Sequence, residues 1–128
     1  MEAMIEQSIE VAATQARLWQ LVSTSEGLSS WFVSAHVVAG SSGSVTLRFG
    51  PDAEGTMPIR CWEPPRRIRF GAAPGEIGRA HDFEVTDAPG GGGRVRVVDS
   101  GLEETGIDVV RETWALYLRR LKTQAENG

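Results

Sequence analysis

The chain has 128 residues, 41% of them hydrophobic, a formal net charge of −4 and a pI near 5.2. That length suits one domain burying roughly two thirds of the surface its unfolded form exposes, and an acidic chain with scattered arginines lacks the basic face that nucleic acid requires as a partner. The lone cysteine, Cys61, excludes an intramolecular disulfide and an all-cysteine metal site; with no basic-apolar leader and no apolar run near the ~18 residues of a membrane span, the chain reads as soluble and cytoplasmic.

From Met4 to Val11 apolar Ile5, Ile9 and Val11 alternate with Glu6, Ser8 and Glu10, the pattern of a half-buried antiparallel strand. Thr14 is placed to cap a short helix carrying Leu18, Trp19, Leu21 and Val22, and Ser25 to Trp31 reads as a second helical segment. Trp19 is expected in core. Turn signals then divide the chain into strands at Ala35 to Ala39, Ser44 to Phe49, Thr56 to Glu63, Arg67 to Phe70, Arg79 to Thr86 and Arg94 to Ser100, spaced as an antiparallel meander. Pro64 and Pro65 donate no ladder hydrogen bonds and mark a turn. Beyond Gly101 the apolar period lengthens: Val110, Trp114, Tyr117, Leu118 and Leu121 recur at three and four residues, and Thr105 with Asp108 forms a capping-box-like start. A helix from there to about Ala125 would be ~30 Å long, enough to cross a sheet. The fold class is α+β, one domain over residues 1–128, with a cleft between the sheet and the last helix.

The order of these pieces resembles the START-like, helix-grip superfamily. Within it, the chain is similar to the C-terminal domain of the activator of the heat-shock protein 90 ATPase. The resemblance is carried by Ile9-Glu10-Val11-Ala12-Ala13 before Leu18-Trp19, by Leu28 and Trp31-Phe32, by Glu63-Pro64-Pro65-Arg66-Arg67-Ile68, by Arg94 to Gly101, and by Trp114, Tyr117-Leu118 and Leu121-Lys122. It implies a seven-stranded antiparallel sheet gripping the C-terminal helix around a largely apolar cavity for lipids, polyketides or other small hydrophobic molecules. Two departures stand out. Thr113 occupies the position before the tryptophan where the family usually has glycine, and the segment from Gly71 to Gly78 is short.

Within the cleft, His81 and Asp99 are the sharpest pair. With the hairpin centred on Gly90, facing residues sum to 180, which sets Phe83 opposite Val97, Val85 opposite Val95 and His81 opposite Asp99, all inward by parity. A carboxylate beside an imidazole could orient a general base, making the two candidate catalytic residues; the alternative is a polar rim on an ordinary ligand pocket. Trp31, Phe49, Phe70, Phe83, Val97, Val110, Trp114 and Tyr117 complete the candidate ligand-binding set, and Phe32 stands with the aromatic residues that could line the cavity, with plain core as the competing role for each. Arg66, Arg67 and Arg69 read as a solvated hairpin end, Cys61 as a small strand residue, and His36 and His81 lack metal-ligand spacing, so neither metal nor cofactor is expected. The expected function is binding of a small hydrophobic molecule. The rivals are an enzyme of hydrolase, cyclase or dehydratase type using His81 and Asp99, and a chaperone ATPase-stimulating interaction module. The edge strand Ala35 to Ala39, with Val37 and Val38, offers a route to a homodimer.

Overall fold

The computed structural model describes residues 2–127. Strand β1 (Glu2–Val11) is followed by α1 (Gln15–Ser23) and α2 (Ser25–Trp31), then β2 (Ser34–Val38), β3 (Ser44–Gly50), β4 (Ala53–Glu63), β5 (Arg67–Gly71), β6 (Ala80–Asp87), β7 (Gly93–Glu103) and α3 (Ile107–Asn127). The architecture is α+β, and the expected helix-grip arrangement is present. All seven strands form one antiparallel sheet in the order β1-β7-β6-β5-β4-β3-β2. Because β1 and β2 lie at opposite edges, the chain between them must cross the sheet, and α1 and α2 are that crossing.

Local chemistry sets the joints. Thr14 caps α1 by accepting from the Arg17 amide at 3.1 Å, and Thr24 caps α2 by accepting from the Gly27 amide at 2.9 Å. Pro64 and Pro65 sit in the turn between β4 and β5. The start of α3 differs from the expected capping box. The helix begins after Gly106, whose φ of +82° suits glycine, and Asp108 takes the Arg111 guanidinium at 2.6 Å. Its 21 residues make it about 31 Å long.

Period-2 patterning decides which face of the sheet is buried. Ile68, Phe70, Phe83, Val85, Val95 and Val97 are fully buried on the concave face and join one apolar cluster with Leu18, Leu21, Leu28, Trp114, Leu118 and Leu121 from the helices. The convex face carries ion pairs: Arg96 with Glu6, Arg94 with Glu10, and Arg67 with Asp82. Arg69 also reaches Asp82, while Arg66 pairs with Glu63 at the exposed turn. Cys61 shares the row of Arg69 and Asp82 on that face, and burial pushes its thiol pKa up, which favours the unreactive protonated form. Trp19 packs edge-to-face on Trp62.

The edge strand β2 does not present its backbone freely. The Ser29 hydroxyl accepts from the Ala35 amide at 3.0 Å, and the Ser25 hydroxyl accepts from the Val37 amide at 2.8 Å. These two amides are therefore unavailable to an added strand, while Val38 stays exposed as a side chain.

Candidate functional site

The hairpin register is the one the glycine turn predicts: His81 faces Asp99, Phe83 faces Val97 and Val85 faces Val95. Both polar residues are buried on the concave face, His81 at 2% and Asp99 at 1% exposure. Near them, between the sheet and the first half of α3, lies a cavity of about 130 Å³. Helix α3 contributes Val110, Thr113, Trp114 and Tyr117 to its wall; the sheet contributes Phe49, His81 and Asp99; Phe32 follows α2, and Arg79 precedes β6. Phe32 stacks on Trp114 with ring centroids 5.1 Å apart and meets Tyr117 edge-on at 5.1 Å, so three rings make a continuous aromatic wall.

The carboxylate of Asp99 is committed elsewhere than to the histidine. Arg79 Nη2 donates to both of its oxygens, at 3.0 and 2.9 Å, and Trp114 Nε1 donates to Oδ2 at 2.8 Å. His81 Nε2 lies 3.9 Å from Oδ1, beyond hydrogen-bond reach. Burial lowers the His81 pKa to about 4, outweighing the opposing pull of Asp99. The imidazole is thus neutral at pH 7, stacked on Phe70 with centroids 5.1 Å apart, and its Nδ1 has no partner. The chemistry is that of a buried carboxylate that pins α3 to β7 through Trp114 and pairs with the half-exposed Arg79 at the rim, beside a neutral ring in an aromatic wall.

Of the residues anticipated for the site, the structure brings Phe49, His81, Asp99, Val110, Trp114 and Tyr117 to the cavity. Trp31, Phe70, Phe83 and Val97 face the same way but lie outside the lining, fully packed in the core. Trp31 Nε1 donates to the Leu21 carbonyl at 2.8 Å, a purely internal bond. Phe32, also among the aromatic residues expected at the cavity, lines it too, and Arg79 and Thr113 complete the wall without having been anticipated. Arg79 is placed by backbone crowding: its carbonyl accepts from the Ala72 amide at 2.9 Å, and a side chain on Gly101 would overlap the Gly78 carbonyl beside it. The loop over residues 72–79 is held down at its end, and the guanidinium with it. His36 is exposed on β2, away from the cavity, and among the described residues no three His, Cys, Asp or Glu side chains converge as metal ligands.

This geometry can be set beside known proteins. The sequence model of the family described as "Activator of Hsp90 ATPase homolog 1-like protein" matches residues 12–126. The chain belongs to this family. No functionally curated protein matches its sequence significantly. Among solved structures of similar fold, a conserved protein of unknown function from Enterococcus faecalis superposes with a TM-score of 0.79 at 18% identity, covering 98% of this chain and 72% of that one. The Aha1 dimer from Colwellia psychrerythraea gives a TM-score of 0.77 at 20% identity, covering 97% and 96%. DynU16, from the dynemicin biosynthetic locus, gives a TM-score of 0.74 at 19% identity, covering 94% of this chain and 46% of that protein. At these identities the likeness establishes the Activator of Hsp90 ATPase homolog 1-like fold of the chain. In that fold no helix among the described residues is long and apolar enough to cross a membrane.

Proposed function

We propose that this protein binds a small hydrophobic molecule, non-covalently, in the cavity between the sheet and α3. The observation that carries this reading is the aromatic wall of Phe32, Trp114 and Tyr117 around a space beside polar groups that are largely satisfied by one another. A volume of about 130 Å³ matches a single ring, since an engineered apolar cavity of roughly 150 Å³ takes up benzene. A lipid chain or a polyketide would require α3 to move outward. The occurrence of a similar fold in a protein of the dynemicin locus supports a small organic ligand.

An enzyme built on His81 and Asp99 is less well supported. General-base work asks for a pKa near the operating pH and an orienting carboxylate within bonding distance. Here the pKa is about 4 and the carboxylate serves Arg79 and Trp114. We take the compartment to be the cytoplasm, where a lone half-buried thiol persists in reduced form. If the protein dimerises as the Colwellia protein does, the contact is made by side chains and not by extending the sheet past β2.

Titration of intrinsic tryptophan fluorescence with single-ring probes tests the reading. Saturable quenching or a shift in emission is expected, lost in Val110→Phe, which fills the cavity from α3. A flat titration in the wild type, together with no small molecule carried through purification by native mass spectrometry, overturns it.

A further inference from the structure

We infer that the molecule taken up in this cavity is a small monocarboxylic acid, its apolar part no larger than one ring, its carboxylate held at the mouth by Arg79. This rests on the binding reading above and adds the charge and size of the ligand. The guanidinium of Arg79 directs Nε and Nη2 to Asp99, at 3.3 Å and at 3.0 and 2.9 Å. Nη1 has no acceptor among the described residues. The Arg79 side chain is 47% exposed while that of Asp99 is 1% exposed, so the cation stands between the buried carboxylate and solvent. A guanidinium can engage a carboxylate on each of two edges. One edge of Arg79 is spent on Asp99, and the outer one remains.

The other chemistries fit less well. A ligand ammonium would meet the Arg79 cation first and find both Asp99 oxygens already accepting, from Arg79 and from Trp114. A neutral amide could accept from Nη1 through its one carbonyl oxygen, but it brings neither the opposite charge nor the second oxygen that lets a carboxylate pair with a guanidinium bidentately. Among the lining residues only Arg79 and Asp99 carry charge at neutral pH, and they cancel, so the outer edge of Arg79 decides the sign of what binds. Size is set by Thr113, whose hydroxyl donates to the Val109 carbonyl at 2.8 Å; it therefore adds bulk to the wall and not a free polar group.

The experiment compares phenylacetate, phenylacetamide, phenethylamine and toluene by calorimetry and tryptophan fluorescence on the wild-type protein at neutral pH. Phenylacetate is expected to bind at least tenfold more tightly than phenylacetamide, and phenethylamine not at all. The margin should shrink with added salt and fall to a few-fold in Arg79→Lys, a change that keeps a cation beside Asp99 and so keeps the fold. Thr113→Ala should admit naphthylacetate, which the wild type refuses. If toluene or the amide binds as tightly as the acid, the carboxylate inference falls while hydrophobic binding stands. If none of the four binds, both fall.

Discussion

The two ends of the cleft under α3 are built from the same kind of strands and the same helix, yet one is solid and the other holds a cavity. At the end near the Gly90 turn, Leu18 and Leu21 of α1 fill the space between Val85 and Val95 on the sheet and Leu118 and Leu121 on α3, all essentially without exposure. At the other end α1 contributes nothing to the lining, and only Trp31 and Phe32 at the end of α2 come between sheet and helix. The residues facing each other there are Trp114, Tyr117 and Val110 against His81 and Asp99, with Phe49 and Arg79 at the margin. The difference teaches that the cavity comes from a missing layer, and that the polar residues of the concave face cluster where that layer is missing. Packing at one end supplies stability that the open site at the other does not.

This contrast can be broken from either side. Leu118→Ala at the packed end should cost about 3 kcal/mol, the transfer loss plus the void left behind, with single-ring probe affinity unchanged in the folded fraction. Chemical denaturation and probe titration of one sample check both halves. Second in size is a pH effect at the open end. His81 has a folded pKa of about 4 against 6.5 unfolded, so the unfolded chain binds more protons between those values and stability falls as pH drops through that window. The loss from pH 7 to pH 5 should be about 2 kcal/mol, read from urea midpoints, and His81→Phe should flatten it. Asp99→Asn should cost about 1.5 kcal/mol, the range of hydrogen bonds to charged groups, because Arg79 can turn to solvent once released. An unchanged denaturation midpoint would mean that the Trp114 and Arg79 bonds contribute nothing to the grip on α3. Smallest in stability is Phe49→Ala, 58% exposed, expected within about 0.5 kcal/mol, yet it should weaken probe binding several-fold by opening the mouth.

Much of this was legible in the residues. Alternation gave the inward faces, and the glycine turn gave the pairing of His81 with Asp99, because a sheet permits only one parity without burying Arg94 and Arg96. Depth was not legible. Parity places Phe70, Phe83 and Val97 on the concave face but says nothing of whether a neighbour covers them, and they turned out to lie beneath the cavity and not along it. Arg79 could have been found. The same pairing rule sets it one step past the ladder, opposite Gly101 and diagonal to Asp99, within reach of a long side chain. The commitment of Asp99 to Trp114 depends on how α3 seats on the sheet, a tertiary fact with no local signal.

The serine caps on β2 bear on how the protein behaves in concentrated solution. A sheet edge recruits other chains because its amides lack acceptors, and growth of fibrillar aggregates starts from such a row. Here Ser25 and Ser29 occupy the amides of Val37 and Ala35 from a helix two residues upstream, so the protection is local in sequence and forms as soon as α2 does. A Ser25→Ala, Ser29→Ala double variant would leave the cavity untouched and uncover the edge. Its signature would be light scattering that rises with protein concentration while ligand response stays constant, which separates the colloidal role of α2 from any role in binding.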